Sequence, residues 1–328
     1  MVATPGHAAS PRPACDSQSD SERPPVALIA NPASQNGNGA KAAQAALHQL
    51  EQILGEDQVR LHLTQRPLHA VEMARRLPQH VRTVIALGGD GLINEVANGL
   101  MARRQLAPDQ PLPALAVIPS GSGNDYAATL GMSPKIDRAV SQVLSGQTVQ
   151  ADVGCCNGHY FVETLSFGVD AAIALDTVER RKRTGRSGTL LYAESGIDQI
   201  LHHRDEHAFR LVADEIEHTG SSLTFAVQLG CTYGGGFRIC PNARIDDGLF
   251  DLCIALGPLS LGRALVAFGR AKFGAHTNMS CIKMLTAREL HVEFDRCPPA
   301  QMDGEKVTGS VFDVSLVPAA LPVICAPR

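Results

Sequence analysis

Three loops rich in glycine, serine and asparagine each follow directly on a short apolar run. They span residues 31–39, 88–91 and 119–125. Glycine lets the backbone approach a ligand closely, and the N-terminus of a helix offers unpaired N–H donors with a partial positive charge. A single loop of this kind is explained equally well as a tight turn with a helix cap. Three of them together favour a site for phosphate groups.

The standard phosphate-binding motifs are missing from these loops. The chain has no GxxxxGK[ST] sequence, and no GxGxxG follows the first apolar run. Asp90 lies inside the second loop, where its carboxylate would repel a bare phosphate. Its presence is consistent with phosphate chemistry if it takes a proton from a nucleophile, or if a divalent metal or a charged neighbour offsets its charge.

Two acidic motifs occur in the second half of the chain. In Asp246-Asp247-Gly248, adjacent carboxylates at a turn suit a hard cation if backbone carbonyls help. In Asp303-Gly304-Glu305, a carboxylate could accept the proton of an attacking hydroxyl. The residues alone leave two plainer alternatives open, an Asp-Asp-Gly turn in solvent and a surface hairpin turn.

The elements that position the three loops alternate between strands and helices. Short apolar or strand-like runs predict strands over Val26–Ala30, Gln58–Leu63, Val81–Leu87 and Leu115–Ile118. Helices are predicted over Ala40–Leu50, His69–Leu77 and Leu92–Arg103. This alternation indicates βαβ units and a parallel sheet, in which the loops after the strands collect at one edge. The three loops are therefore expected to converge on one crevice.

After Asp152 the apolar runs become shorter and alternate with polar residues, which is typical of antiparallel β-structure. Strands are predicted over Tyr160–Phe167, Ala208–Ala213, Ser222–Leu229, Leu249–Ala255, Leu290–Phe294 and Val311–Val317. Helices are predicted around Ala172–Arg183, Leu190–His203 and Ser260–Phe273.

Composition narrows the class of protein. The 328 residues suffice for about two domains, and a chain that is 44% hydrophobic and 19% charged can bury a sizeable core. The net charge of −4 and the pI of about 6.3 provide no field that would attract nucleic acid. The chain has no tryptophan and only 4% aromatic residues, which disfavours stacking platforms for single strands.

The cysteine content, the length of the apolar runs and the N-terminal residues indicate the cellular location that is expected. Nine cysteines, an odd number without a CxxC pair, favour free thiols in a reducing cytosol. No apolar run approaches the roughly 20 residues of a membrane span. The first 24 residues are rich in proline and serine and lack the apolar stretch of a secretory signal, so a flexible tail is expected there.

The motifs, taken in order, resemble those of the diacylglycerol kinase catalytic-domain superfamily, which includes bacterial lipid kinases, sphingosine kinases and ceramide kinases. A GGDG sequence alone is shared with NAD kinases and phosphofructokinases, so the resemblance rests on the whole series. The series comprises Asn31-Pro32-x-Ser34, Gly88–Val96, Pro119–Asp125, Ser166–Asp170, Gly234–Gly236, Asp246–Asp251 and Asp303–Glu305. It covers nearly all of Val26–Val317.

The resemblance implies a set of site residues. The nucleotide is expected against Asn31, Pro32, Ala33, Ser34, Gln35, Thr64, Gly88, Gly89, Asp90, Gly91, Leu92, Asn94, Glu95, Gly121, Ser122, Asn124 and Asp125. A magnesium ion is expected at the Asp247 carboxylate with the main-chain oxygens of Arg244 and Leu249. Glu305 matches the base proposed for bacterial members, and Asp90 matches the base proposed for sphingosine kinases. We expect Glu305 to act as the base with Asp90 as its partner.

Four positions depart from the usual pattern of the family. Ser122 stands where threonine is usual and keeps the hydroxyl, and Tyr126 stands where phenylalanine is usual and is still aromatic. Gln35 replaces a glycine of the first loop, and Leu92 replaces the threonine of the bacterial members and looks like the residue of the sphingosine kinases. The changes at Gln35 and Leu92 leave the nucleotide and the acceptor lipid open.

The resemblance also implies a domain organisation. The first domain is expected to be α/β with a parallel sheet, similar to NAD kinases and phosphofructokinases, and the second a mainly antiparallel β-sandwich. The expected divisions are a tail over 1–24, a nucleotide-binding domain over 25–152, the sandwich over 153–317, and a last segment, 318–328, that packs back on the first domain. The active site would lie in the cleft between the domains.

The expected function is therefore ATP- and magnesium-dependent phosphorylation of a lipid hydroxyl, with diacylglycerol or a related glycerolipid as acceptor. Alternatives are a sphingoid-base kinase, a kinase of a soluble acceptor such as NAD, and a nucleotide- or lipid-binding protein without catalysis. A cytoplasmic protein that visits the membrane is expected, and a homodimer remains open. The basic run Glu179–Arg186 could hold anionic headgroups, although a solvated helix end is the favoured interpretation.

Overall fold

The fold consists of a parallel α/β domain followed by an antiparallel β domain, and both predictions of fold class are confirmed. The computed structural model describes residues 26–186 and 188–327. The tail predicted over 1–24 lies outside the described residues.

The first domain is built on a parallel sheet. Its strands are β1 (Val26–Ala30), β2 (Val59–Leu63), β3 (Thr83–Gly88) and β4 (Ala114–Pro119). They pair in the order β2-β1-β3-β4, with all neighbours parallel. Every residue of β1 is buried, because helices cover both faces of such a sheet. The predicted strands are confirmed, with ends that shift by two residues or fewer.

Six helices accompany this sheet. They are α1 (Ser34–Gly37), α2 (Gly39–Leu54), α3 (His69–Arg75), α4 (Asp90–Leu106), α5 (Asp125–Thr129) and α6 (Ile136–Ser145). In α2 the residues Ala42, Ala43, Ala46 and Leu50 are buried, which is the spacing of one helix face directed at a core. Both α4 and α5 begin in the glycine-rich loops, so their N-termini point toward the carboxyl edge of the sheet.

The second domain is antiparallel. Its strands are β5 (Gln147–Cys156), β6 (His159–Phe161), β7 (Thr164–Gly168), β8 (His207–Ala213), β9 (Ile216–Gln228), β10 (Phe250–Leu256), β11 (Ile282–Ala287), β12 (Glu289–Phe294), β13 (Ala300–Met302), β14 (Glu305–Val307) and β15 (Val311–Cys325). Its helices are α7 (Val169–Thr184), α8 (Thr189–His202) and α9 (Leu261–Ala271). Packed rings of Phe167, Phe225, Phe294 and Phe312 form part of its core.

One predicted strand is wrong. The run Tyr160–Phe167 is divided into β6 and β7, because the Asp303 carboxylate accepts hydrogen bonds from the backbone N–H groups of residues 162, 163 and 164. Those groups are therefore not available to continue a regular ladder. Four further strands, β5, β11, β13 and β14, lie outside the predicted strands.

Two long strands join the domains. Strand β15 pairs with β12 of the second domain, with β5 along most of its length, and through Val323 with Leu115 of β4. The chain thus returns to the first domain before its end. The boundary expected between residues 152 and 153 falls inside β5, so the two domains share a continuous ladder.

Among residues 26–186 and 188–327, no helix combines the length and the apolar character that crossing a bilayer requires. None of the eight cysteines in these ranges takes part in a disulfide bond.

A candidate active site between the two domains

A large cleft separates the carboxyl edge of the parallel sheet from α7, α8 and the β13–β14 turn. Its volume is about 1310 Å³. Twelve of the residues that the resemblance implied line it: Asn31, Ala33, Ser34, Gln35, Gly89, Asp90, Gly91, Leu92, Gly121, Ser122, Asp125 and Glu305. Pro32, Gly88 and Asn124 are chain neighbours of these residues. The three glycine-rich loops thus converge on one crevice, as expected for loops that follow neighbouring parallel strands.

The second and third loops touch through their backbones. A Cβ atom at Gly121 would overlap the Cα of Gly89 and would lie 2.8 Å from the Asn124 Oδ1 atom. The Ser120 N–H donates to the Gly88 carbonyl at 2.7 Å, and the Ser120 and Ser34 hydroxyls lie 3.3 Å apart. Because no side chain fits between these loops, glycine is required there by close approach.

We expect Gly121→Ala to abolish nucleotide binding, because the added methyl group must push the second and third loops apart. The matched control is Gly269→Ala on α9, where an added Cβ meets nothing within 4 Å. Isothermal titration with the nucleotide checks both variants. Wild-type affinity in Gly121→Ala would contradict the packing argument.

Asp90 ties the second loop to the third. Its carboxylate accepts the backbone N–H of Asn124 at 2.8 Å and that of Tyr126 at 3.2 Å. Burial raises the pKa of Asp90, although these N–H groups oppose the rise by stabilising the carboxylate. In this arrangement Asp90 holds the N-terminus of α5 in place.

Asp125 joins the two domains. Its carboxylate accepts the N–H of Gly235 at 2.9 Å and that of Gly236 at 3.1 Å. Both glycines have positive φ angles, 76° and 91°, a conformation in which successive N–H groups form a concave anion site. Burial and the nearby charge of Asp90 raise the pKa of Asp125 to about 7.

The motif Asp303-Gly304-Glu305 contains one buried and one exposed carboxylate. Asp303 accepts the Asn94 amide at 2.8 Å in addition to three backbone N–H groups. Glu305 is exposed and lines the cleft. A Cβ built at Gly91 would lie 3.9 Å from its Oε1 atom. Asp303 therefore fixes the turn that presents Glu305 to the second glycine loop.

Helix α7 brings cations into the cleft that the sequence analysis did not single out. Arg181 and Lys182 both line it, and the Arg181 Nε atom is buried without a hydrogen-bond partner among the described residues. Burial lowers the pKa of Arg181, and the charge of Asp90 opposes that shift. The two residues share a helix face with Ala174 and Val178, which also line the cleft.

Two other arginines of that basic run are neutralised by ion pairs. Arg180 pairs with Asp176 and Asp198, and Arg186 pairs with Glu194. The run Glu179–Arg186 is thus divided between the cleft and the solvent.

The Asp-Asp-Gly turn lies outside the cleft, since none of Arg244, Asp247 and Leu249 lines it. The Asp247 carboxylate is exposed and accepts the Leu249 N–H at 3.2 Å. Burial and the charge of Asp247 raise the pKa of the neighbouring Asp251 to about 6. An exposed carboxylate with a second one close by, beside loop carbonyl groups, is a donor set that fits a hard cation.

Three predicted nucleotide contacts have other partners here. Asn94 donates to Asp303 and to the Tyr160 carbonyl. Glu95 accepts the N–H groups of Leu68 and Ala70 at the start of α3. The Thr64 N–H donates to the Ala30 carbonyl at 2.9 Å, beside the end of β1.

A buried carboxyl group lies directly behind the cleft wall. The Tyr192 hydroxyl donates to Asp170 at 3.4 Å, and burial raises the pKa of Asp170 to about 7. A raised pKa in the folded state means that stability is fully present below the unfolded-state pKa and is lost as the pH rises through about 7.

We expect Asp170→Asn to remove this pH dependence. Relative to wild type, the free energy of unfolding of the variant should rise between pH 4 and 7 by at most about 1.4 kcal/mol per pH unit. Urea unfolding at a series of pH values measures it, with Asp109→Asn in an exposed loop as the control. A difference from wild type that stays constant with pH would contradict the assignment.

The two domains match two family profiles. The diacylglycerol kinase catalytic domain matches residues 25–156, and the YegS C-terminal NAD kinase beta sandwich-like domain matches residues 163–325. A crystal structure of a diacylglycerol kinase from Bacillus anthracis has the same fold, with a TM-score of 0.75 and 22% identity over 93% of this chain and 98% of that one. The fold is that of the solved structure, and the match to the catalytic-domain profile makes the protein a diacylglycerol kinase-like kinase.

Curated relatives narrow the class. The chain is 30% identical over 240 residues to a probable lipid kinase YegS-like of Pectobacterium atrosepticum, covering 73% of this chain and 76% of that protein. It is 30% identical over 253 residues to the probable lipid kinase YegS of Escherichia coli, covering 76% and 80%. The chain belongs to the family of YegS-like lipid kinases.

Proposed function

We propose that this kinase transfers the γ-phosphate of ATP to a hydroxyl group of a glycerolipid such as diacylglycerol. The observation that carries the proposal is the cleft itself. Three glycine-rich loops, the exposed carboxylate of Glu305 and the half-buried side chain of Arg181 line it together, next to an apolar wall. Phosphoryl transfer depends on positioning and charge neutralisation more than on covalent chemistry. The loops and the carboxylate would position the reacting groups, and the arginine would neutralise charge.

The glycine-rich loops would hold the phosphates. Helix α4 starts at Asp90, so the backbone around its N-terminus offers donors and a partial positive charge. The chain lacks the lysine of the GxxxxGK[ST] motif. Arg181 would supply that cation from the second domain, since it lines the cleft, its Nε atom is buried, and its guanidinium group lies within the field of Asp90.

Glu305 would take the proton from the acceptor hydroxyl. It is exposed to the cleft and lies near Gly91, whereas both Asp90 oxygens already accept backbone N–H groups. A base must reach the proton that it removes, and this favours Glu305. Asp90 would then act by holding the third loop and by adding its charge beside Arg181.

Magnesium would be held at the Asp-Asp-Gly turn by the Asp247 carboxylate and the main-chain oxygens of Arg244 and Leu249. When bound, a magnesium ion neutralises carboxylate charge, and one that accompanies the nucleotide neutralises phosphate charge. Gly248 donates its N–H to Asp152 of β5 at 2.7 Å. A cation at this turn would therefore stabilise the junction of the two domains.

The acceptor would lie against the second domain. Ala174, Leu175 and Val178 of α7, with Tyr192 and Tyr233, line this side of the cleft. Such a wall suits an acyl chain, and the two tyrosine rings are tied to Asp170 by their hydroxyl groups. This apolar wall favours a lipid over a charged soluble acceptor.

The test is transfer of labelled γ-phosphate from ATP into dispersed lipids, with magnesium and with a chelator. The panel contains diacylglycerol, monoacylglycerol, phosphatidylglycerol, sphingosine and ceramide, with NAD as a soluble acceptor. Label in a glycerolipid that is lost in Glu305→Gln supports the proposal. Label confined to sphingosine or NAD, or no label although ATP binds, would overturn it.

A further inference from the structure

Two helices of the second domain expose apolar stripes. On α8 the side chains of Leu190, Ile197 and Leu201 are 77%, 48% and 45% exposed. Their spacing of seven and four residues places them on one helix face. On α9, Val266 is 52% exposed, and Phe273, seven residues further on and just past the helix, is 78% exposed. We call these five residues the α8–α9 face.

The two stripes lie side by side on the outside of the molecule. Helices α8 and α9 pack closely, because a Cβ at Gly196 would overlap the Phe268 ring. Their other faces are buried in one core through Tyr192, Ile200 and Ala264. Of the 13 exposed large hydrophobic side chains among residues 26–186 and 188–327, six lie on these two helices or directly after them. Such clustering marks an interaction surface.

Charge around the α8–α9 face is positive although the chain carries −4 overall. Helix α9 contains Arg263 and Arg270 and no acidic residue. Arg183 at the end of α7 and Arg270 are exposed, and neither forms an ion pair with another described residue. The acidic residues of α8, Glu194 and Asp198, are paired with arginines.

Helix α8 separates the α8–α9 face from the cleft. Tyr192 and Gln199 line the cleft, and their spacing from Leu190 places them on the opposite side of α8 from the exposed stripe. A partner seated on the α8–α9 face would therefore leave the cleft uncovered. Apolar side chains flanked by cations fit the interface of an anionic bilayer, where the apolar groups enter the acyl boundary and the cations meet the headgroups.

We propose that the α8–α9 face docks the protein on an anionic phospholipid bilayer, with Arg183 and Arg270 at the headgroups. This inference rests on the proposed function, since a lipid acceptor must be reached at a membrane. The exposed stripes of α8 and α9 would thus contact the bilayer, and of the basic run Glu179–Arg186 only Arg183 would do so.

The experiment sediments the full chain with phosphatidylcholine vesicles that contain or lack phosphatidylserine. For the double variant Ile197→Ser, Phe273→Ser we expect about tenfold or greater loss of vesicle affinity, because two interfacial anchors are removed. The matched control is Ile53→Ser, Leu106→Ser, two side chains of the first domain that are 61% and 75% exposed. It should bind like wild type.

A second pair, Arg183→Gln, Arg270→Gln, separates the apolar from the electrostatic contribution. It should weaken binding to the vesicles with phosphatidylserine by about tenfold and leave the weaker binding to pure phosphatidylcholine unchanged. Equal vesicle binding by wild type and both double variants would overturn the docking proposal. A dimeric wild type that becomes monomeric in Ile197→Ser, Phe273→Ser would also overturn it, because the face would then join two copies.

A water-soluble, short-chain diacylglycerol distinguishes this proposal from the proposed function. Both double variants should phosphorylate it at the wild-type rate, since none of the four residues lines the cleft. Vesicle binding through the α8–α9 face without phosphorylation of any lipid would leave docking intact and refute the proposed function. If the variants phosphorylate the short-chain acceptor and bind vesicles as well as wild type does, the proposed function stands and the docking proposal is refuted.

Discussion

Glu305→Gln should lower kcat by about 10² to 10⁴-fold, the usual contribution of a general base. The amide keeps the size of the side chain and removes its ability to accept a proton. Because Glu305 is exposed in the cleft, the substitution should leave folding and ATP affinity unchanged. Steady-state kinetics with a short-chain diacylglycerol and ATP titration calorimetry measure the two effects separately.

The control for this variant is Glu215→Gln, an exposed glutamate in a turn outside the cleft, which should retain full activity. The companion variant Asp90→Asn should behave differently from Glu305→Gln. Because Asp90 accepts two N–H groups of the third loop, its loss should weaken ATP binding as well as kcat. If Glu305→Gln is fully active and Asp90→Asn is inactive with normal ATP binding, Asp90 and not Glu305 is the base.

Arg181→Met should lower kcat by about 10² to 10³-fold, which is typical for loss of a group that stabilises charge in the transition state. Methionine preserves the packing of the side-chain stem on α7 and removes the guanidinium group. The loss should exceed that of a surface cation because the Arg181 Nε atom is buried, where solvent screens charge poorly. Kinetics on the short-chain acceptor check this without involving a bilayer.

Arg183→Met is the matched control, since Arg183 lies two residues further along the same helix and does not line the cleft. Its activity on the short-chain acceptor should equal that of wild type. Equal activity in Arg181→Met would show that the glycine-rich loops and magnesium neutralise the phosphates without α7. A rise in KM for ATP at constant kcat would assign Arg181 to binding of the ground state only.

Local residue patterns determined most of the fold. The runs Val26–Ala30 and Val84–Leu87 are continuous and apolar, and each precedes a loop that contains glycines, so strand, loop and helix could be predicted in order. The requirement for Gly89 and Gly121 likewise follows from a general property of parallel sheets, whose loops meet at one edge. These features depend on neighbours in the chain, and the sequence by itself therefore determined the α/β domain and the loops of the cleft.

Other parts of the site depend on pairs of residues that are far apart in the chain. Asp125 meets Gly235, Asn94 meets Asp303, and β15 returns to β4. Sequence periodicity does not indicate which distant residues meet, because it reports only which side of a helix or strand is buried. The position of Arg181 shows the consequence. Its basic run resembled a solvated helix end, and only the packing of α7 over the glycine-rich loops decided that Arg181 and Lys182 line the cleft, whereas Arg180 and Arg186 form ion pairs outside it.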